Sequence, residues 1–270
     1  YKICEVLNPT NCDTVTTTIT VGGCLDFTIN DCDNDGESNG TEITNGTNPN
    51  NACSYTNAPS SSTAAYSTWS VLDCDGDGVT NGEEVDPDGD GIAGPNGTNP
   101  SDPCSFDVAN QDLTLVSQAW LNADCDGDGV SNGDEIDPDG DGTPGPDGTN
   151  PNDPCSYALS SQSMAPSAAW LLLDCDGDGV SNGTEIDPNG DGIPGPNGTN
   201  PSDPCSLNIL NQTLTPSASW QSLDCDGDGV TNSDELDPDG DGTPGPNGTN
   251  PIDPCSLTVA DITLTIDSTW

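Results

Sequence analysis

A seven-residue block, Asp-Cys-Asp-Gly-Asp-Gly-Val, recurs about every fifty residues and constrains this chain more than any other feature in it. It begins at Asp73, Asp124, Asp174 and Asp224, and a variant, Asp-Cys-Asp-Asn-Asp-Gly-Glu, begins at Asp31. A fixed period of this length marks a tandem array, in which a unit buries too little by itself and leans on its neighbours. Each block carries carboxylates at positions 1, 3 and 5, a glycine at 6 and a glutamate at 12. Alternating carboxylates can converge on one point only where the backbone coils tightly, and glycine permits the positive φ that such coiling needs. A loop of this spacing, closed by a position-7 carbonyl and a two-oxygen glutamate at 12, is how proteins surround calcium.

The expected ligands follow position by position. They are Asp31, Asp33, Asp35, the Glu37 carbonyl and Glu42 in the first block, then Asp73, Asp75, Asp77, Val79 and Glu84. The third, fourth and fifth sets are Asp124, Asp126, Asp128, Val130 and Glu135; Asp174, Asp176, Asp178, Val180 and Glu185; and Asp224, Asp226, Asp228, Val230 and Glu235. A solvated acidic turn would not require glycine at every sixth position and glutamate at every twelfth.

A second loop is expected in four of the five units, from Asp86, Asp88, Asp90 and Ile92; Asp137, Asp139, Asp141 and Thr143; Asp187, Asn189, Asp191 and Ile193; and Asp237, Asp239, Asp241 and Thr243. These repeat the 1-3-5-6 pattern without a glutamate at 12. Later oxygens, those of Asp102, Asp153, Asp203 and Asp253 or nearby carbonyls, are the candidates to complete them. The expected load is therefore about one to two Ca2+ per repeat.

Charge supports a cation-dependent fold. The chain has 47 acidic residues against a single Lys2 and no histidine, a net charge of -46, which would repel itself strongly if compacted bare. Nothing in it neutralises phosphate, so nucleic acid is excluded as a partner, and the same poverty of cations speaks against an anionic membrane. No apolar run reaches membrane length. No His-based nucleophile–base pair exists, and the paired carboxylates all fall in calcium spacing, so the sequence does not read as an enzyme. Only 30% of residues are apolar, which leaves room for small cores that need staples. Thirteen cysteines provide them, and disulfides imply an oxidising compartment, hence an extracellular or cell-surface location. Zinc–thiolate chemistry is disfavoured by the lack of CxxC spacing and of histidine.

Residues 1–22 read differently, as β-branched alternating runs around Asn8-Pro9-Thr10-Asn11, which is turn chemistry. A β-hairpin with strands near Tyr1–Val6 and Thr14–Val21 is expected, with Cys4 and Cys12 placed to close it. The array then divides as 23–53, 54–104, 105–155, 156–205, 206–255, and 256–270 as the start of a further repeat. Each linker carries one tryptophan five residues before the next cysteine: Trp69, Trp120, Trp170 and Trp220, with Trp270 in the equivalent place. In a chain so poor in apolar side chains, that tryptophan is expected to anchor a small core. Short strands or irregular segments are expected in the linkers and one helical turn at each loop exit, such as Asn132–Ile136. Gly and Pro density rules out long helices. The opening in mid-strand pattern and the stop in mid-repeat lead one to expect a longer polypeptide.

The Asp-x-Asp-x-Asp-Gly runs, the Asn-Gly-x-Glu step and Gly-Thr-Asn-Pro-x-Asp-Pro-Cys together resemble thrombospondin type 3 repeats in their bacterial form, over residues 24–270. The resemblance implies a chain wrapped around a line of calcium ions, with ions and disulfides in place of a hydrophobic core. The long Trp-bearing linkers and the Asp-Pro-Asp-Gly-Asp-Gly insert depart from the animal form. The first residues resemble the end of an immunoglobulin-like β-sandwich module, and the combination resembles large adhesins of surface-attached bacteria.

Two disulfide phases are open. One bridges linkers, as Cys24–Cys32, Cys53–Cys74, Cys104–Cys125, Cys155–Cys175 and Cys205–Cys225. The other bridges the calcium stretches, as Cys32–Cys53 and Cys74–Cys104. The linker phase is favoured because its separations stay nearly constant while the calcium stretch changes length, and it leaves Cys255 unpaired. Each such bridge closes a loop of about twenty residues, contributing roughly 3 kcal/mol in the chain-entropy model.

The expected fold is thus an irregular tandem-repeat rod, mostly loop with short β-strands and single helical turns, stapled by calcium and disulfides. The expected function is that of an extracellular, calcium-dependent structural stalk or fibre segment of a surface adhesin. The alternatives are a calcium-dependent adhesive module gripping a protein or glycan, a self-assembling fibril subunit, and a mineral- or ice-surface binder. The partners expected are neighbouring repeats of the same polypeptide, with other copies in a fibre and glycans left open. Seven Asn-x-Thr sequons, at Asn39, Asn45, Asn96, Asn182, Asn197, Asn211 and Asn247, are candidates for glycosylation, Asn39 and Asn182 reading equally as turn residues inside loops.

Overall fold

The computed structural model describes residues 2–5, 8–14, 29–60, 62–94, 96–143, 145, 147–192, 194–195, 197–241, 245, 247–257 and 262. The chain divides into two units, Tyr1–Leu115 and Val116–Trp270. The first holds a strand pair and the loops that begin at Asp31 and Asp73. The second holds the loops that begin at Asp124, Asp174 and Asp224.

At the N-terminus, β1 (Lys2–Glu5) and β2 (Asn8–Thr14) pair antiparallel, with Cys4 opposite Cys12 and a register shift between Cys4 and Glu5. The second strand therefore occupies the segment expected to be the turn. Pairing context overrides the low strand propensity of Asn and Pro, and a two-stranded sheet has only edges, where a proline that cannot donate is tolerated. Most of the expected return strand, Cys24 and Trp270 lie outside the described residues, as do the ligand candidates Ile193 and Thr243.

Short helical turns follow the loops. They are α1 (Asn39–Asn45), α3 (Asn81–Val85), α5 (Asn132–Ile136), α6 (Asn182–Ile186) and α8 (Asn232–Leu236). Each is preceded by Ser or Thr in extended conformation. The side chain of Ser38, Thr80, Ser131 or Thr231 accepts the N–H of the residue three ahead, and Thr80 forms a full capping box with Glu83. The later four stop after five residues because Asp-Pro follows, and proline disfavours helical backbone in the residue before it. No proline follows Glu42, so α1 runs seven residues and ends on Gly46 at φ 85°.

Where short strands or irregular segments were expected, the linkers form helical turns: among the described residues they hold α2 (Tyr66–Trp69), α4 (Gln118–Leu121), α7 (Ala218–Gln221) and single 3-10 turns such as Trp170–Leu172. In three of the four, a serine three residues before the tryptophan decides this locally; α2 has no side-chain cap. Ser117, Ser167 and Ser217 each accept the tryptophan N–H at 3.1 Å, a capping bond that starts a turn.

The tryptophans anchor small cores. Trp69, Trp120, Trp170 and Trp220 are at most 1% exposed. Trp170 packs with Val130 and Tyr157, flanked by Leu171, Cys175 and Ile186. Trp220 packs with Val180 and Leu207, flanked by Ile209, Leu236 and Ile252. Each cluster therefore joins the position-7 valine of one loop to the tryptophan that leads into the next. Tyr157 meets Trp170 edge-on at 5.3 Å, as Tyr55 meets Trp69 at 5.4 Å, a favourable quadrupole geometry.

Disulfides bridge Cys53–Cys74, Cys155–Cys175 and Cys205–Cys225, each with Cα atoms 5.2 Å apart, which is the linker phase. Cys32, Cys104 and Cys125 are also disulfide-bonded, and Cys255 is free and exposed. No helix among the described residues is long and apolar enough to cross a membrane.

Candidate metal centre

Within each first loop the backbone coils as its glycines require. In the second repeat Gly76 has φ 80° and Gly78 φ 91°; in the first, Asn34 takes the position of Gly76 at φ 62°, a conformation that asparagine tolerates better than most residues. This coil aims backbone N–H groups at the position-1 aspartate: Asp73 accepts from Gly76 at 2.7 Å through Oδ1 and from Gly78 at 3.0 Å through Oδ2. Asp77 Oδ1 accepts from Val79 N at 2.8 Å. The same bonds recur in the loops that begin at Asp124, Asp174 and Asp224.

Those bonds leave one oxygen of each position-3 and position-5 aspartate unused. Asp31, Asp33 and Asp35 hold oxygens within 4.8 Å of one another, as do Asp73, Asp75 and Asp77, and Asp124, Asp126 and Asp128. Buried oxygens without a hydrogen-bond partner recur at the same places: Asp75 Oδ2, Asp77 Oδ2 and Glu84 Oε2, then the equivalent atoms of Asp126, Asp128 and Glu135, of Asp176, Asp178 and Glu185, and of Asp226, Asp228 and Glu235. In the first loop Asp31, Asp33, Asp35, Glu37 and Glu42 contribute such atoms. Buried anionic oxygens facing one another without donors are costly unless a cation joins them. Hard carboxylate oxygens in this number suit Ca2+.

Electrostatics gives the same picture. Burial, then repulsion from neighbouring aspartates, pushes Glu84 and Glu135 up to about 9 and Glu185 and Glu235 to about 8. In Glu185 the aspartate repulsion follows burial directly, whereas in Glu235 the Thr249 bond, which lowers the value, is larger than the repulsion from any one aspartate. Burial raises Asp77, Asp128 and Asp178 to about 7, against the lowering effect of the position-7 N–H. A group so shifted favours a proton or a metal ion over bare charge.

Three supports of this centre were not evident from sequence. The position-9 asparagine is fully buried in every loop. Asn81 Oδ1 accepts from Cys74 N at 3.1 Å, while its Nδ2 donates to the Trp69 carbonyl at 3.0 Å. It ties the loop, the disulfide and the tryptophan turn together, and Asn132, Asn182 and Asn232 do the same. The sequons at Asn39 and Asn182 are therefore closed to glycosylation in the fold, whereas Asn45, Asn96, Asn197 and Asn247 are exposed. The threonine of Gly-Thr-Asn-Pro is the second support. Thr98 Oγ1 donates to Glu84 Oε1 at 3.0 Å, leaving Oε2 for a cation, and Thr149, Thr199 and Thr249 repeat the contact. The third is a glutamine in the next linker: Gln111, Gln162 and Gln212 donate to the carbonyls of Asp77, Asp128 and Asp178.

The second loops share the backbone coil but not the burial. Asp86, Asp88 and Asp90 cluster within 4.8 Å, as do Asp137, Asp139 and Asp141, yet two of each three are exposed. Asp86 accepts from Asp90 N at 3.1 Å and Gly91 N at 2.8 Å, and Asp90 accepts from Ile92 N at 2.8 Å. Thr143 donates both its N–H and its hydroxyl to Asp141, holding that carboxyl below its usual range. Asp239 and Asp241 also belong to such a turn, Asp241 N reaching Asp237 Oδ1 at 3.2 Å.

Asp102 and Asp203, candidates with nearby carbonyls to complete the second loops, also bear on the first: each repels a first-loop carboxylate, Asp77 and Asp176 respectively. All four of Asp102, Asp153, Asp203 and Asp253 accept the N–H of the cysteine two residues on, at 3.1 to 3.2 Å. Asn51, the counterpart in the first repeat, offers a backbone bond to Asp33, again in the first loop.

No curated protein and no solved structure matches the chain. The family described as the bacterial TSP3 repeat matches residues 31–52, 73–86, 124–137, 174–188 and 224–237, the segments that hold the first loops and the turns leaving them. With aspartate clusters in these segments and disulfides beside them, the five segments are similar to bacterial TSP3 repeats, a likeness consistent with calcium-binding structural repeats there.

Proposed function

We propose that the chain is a segment of an extracellular, calcium-dependent stalk or fibre, part of a long surface adhesin. The observation that carries this reading is the set of buried, unpartnered carboxylate oxygens repeated in all five loops. Each first loop would bind one Ca2+ through its position-1, 3 and 5 aspartates, the position-7 carbonyl and the glutamate at 12. The second loops would bind a further, more exposed ion through their aspartates. Calcium binding and folding are then one event, because the bare carboxylates oppose compaction. Disulfides support an oxidising compartment, outside the cell. The strand pair at residues 2–14 is assigned to the end of an immunoglobulin-like module, and the partners of each repeat are its neighbours.

Small-angle scattering of the oxidised chain tests this. A stiff elongated particle in millimolar calcium that becomes a flexible coil on chelation is the expected result. A coil in saturating calcium, or a compact globule indifferent to chelator, would overturn the stalk.

A further inference from the structure

The disulfides decide which parts of this chain feel a pull on its ends. Cys155–Cys175 and Cys205–Cys225 close covalent loops over two linkers. Tension reaching Cys155 crosses the first bridge to Cys175, follows the backbone to Cys205 and crosses the second bridge to Cys225. The stretch between Cys175 and Cys205, 30 positions long, carries all of the tension, and the bridged linkers carry none. That stretch holds Asp176, Asp178 and Glu185 of the first loop and all of the second loop that begins at Asp187.

The bonds that keep the stretch folded converge on Glu185. Thr199 donates its N–H to the Glu185 carbonyl at 2.9 Å and its hydroxyl to Glu185 Oε1 at 3.0 Å, closing the backbone between them. Glu185 Oε2 is buried without a partner, as are Asp176 Oδ2 and Asp178 Oδ2. The unloaded linkers brace the loop from both sides. Asn182 donates to the Trp170 carbonyl of the preceding linker at 3.1 Å. From the following linker, Gln212 donates to the Asp178 carbonyl at 2.6 Å, and Leu214 and Ser217 donate their N–H groups to the Gly179 and Gly177 carbonyls. The apolar groups of the braces lie inside the bridges, Tyr157, Trp170 and Leu171 in one, Leu207, Ile209 and Trp220 in the other.

We propose that the repeat is a calcium-latched reserve of length, which extends under tension only when its ion leaves. The proposal rests on the reading of the first loop as a calcium site. An ion joining Glu185 to Asp176 and Asp178 binds only the folded stretch, and so opposes its extension. Once a carboxylate lets go, the Thr199 bonds stand alone and the stretch opens, freeing about 100 Å of backbone. The bridges then stop the extension. Each linker keeps its tryptophan and its neighbours within a closed loop of about twenty residues, so recovery starts from ends already joined.

Force spectroscopy of the oxidised full chain, held by peptide tags at its two ends, tests this. In millimolar calcium the expected result is discrete steps that each free 30 residues, about 100 Å. Excess chelator should replace them with smooth extension at low force, and Glu185→Ala should remove one step while leaving the others. Reductant added to the extended chain should release a further 20 residues per bridge, about 70 Å. Steps of 20 residues in the oxidised chain, or steps of unchanged force in chelator, would overturn the proposal. A chain that scatters as a stiff particle in calcium yet shows no calcium-dependent step keeps the stalk and loses the latch.

Discussion

Replacing Asn182 by alanine isolates the part of the centre that touches no ion. Its side chain is fully buried and makes two strong bonds, accepting from Cys175 N at 3.1 Å and donating to the Trp170 carbonyl at 3.1 Å. Alanine strands the Cys175 N–H, at about 1–3 kcal/mol, and takes from the Trp170 carbonyl one of two bonds, the other coming from Leu173 N, at about 1 kcal/mol, so the repeat should lose about 2–4 kcal/mol. Where one ion is coupled to folding of the repeat, that loss raises the calcium midpoint by roughly one and a half to three orders of magnitude. The readout is the fluorescence of the tryptophans during a calcium titration, with one step displaced and the others in place, since repeats couple mainly to neighbours. Asn182→Asp should be no better: it keeps an acceptor for Cys175 but sets a carboxylate against the Trp170 carbonyl. A midpoint within about threefold of the parent, the range of an ordinary surface substitution, would refute the clamp.

Other perturbations separate the remaining parts of the loop. Glu135→Gln should abolish one calcium step in calorimetry yet make the chelated chain slightly more ordered, because it removes a charge that burial has pushed to about 9. Thr149→Val, which deletes the 3.0 Å bond to Glu135 Oε1, should weaken that step by about 1 kcal/mol, or roughly fivefold. Gly129→Ala should destabilise its repeat more than Gly140→Ala in thermal melts in calcium: both sit at positive φ, but a Cβ on Gly129 would lie 2.9 Å from the Met164 carbonyl, whereas none meets Gly140. The pH dependence changes sign with calcium. Without a cation, Glu135 binds a proton in the fold between its ordinary 4.5 and about 9 that the unfolded chain does not hold, so stability falls as pH rises through that window. Circular dichroism in chelator should show structure gained from pH 8 to pH 5, while in calcium the midpoint should worsen over the same change, since ion and proton compete.

The loops were legible because their chemistry is local. Asp73, Asp75, Asp77 and Glu84 lie within twelve positions, and the glycines between them announce the coil. The tryptophans were legible by scarcity, as one large apolar side chain per unit has nowhere better to go than a core. What stayed hidden depends on distance along the chain. Asn81 reaches Trp69 across 12 residues, Thr98 reaches Glu84 across 14, and Gln111 reaches Asp77 across 34. No local pattern distinguishes Asn81 from an ordinary turn asparagine, although its recurrence at the ninth position of every loop is a signal the array did offer. Asp102 was one candidate to complete the second loop, and its charge is felt at Asp77 of the first, a contact across 25 positions that no local pattern announces. The strand at Asn8–Thr14 was missed because pairing, not composition, decides a short edge.

The glutamine that reaches back from three of the linkers gives that part of the array a direction. Gln111, Gln162 and Gln212 each seal the loop that precedes them, and none seals the one that follows. The overlap is that of roof tiles, every tile held down by the next. A chain delivered to its destination N-terminus first would meet calcium loop by loop, but a newly emerged loop would wait for its successor's linker before it could close. The folding front would thus trail the emerging chain by a constant stretch of polypeptide, and the most recently delivered loop would be the one still free to exchange its ion.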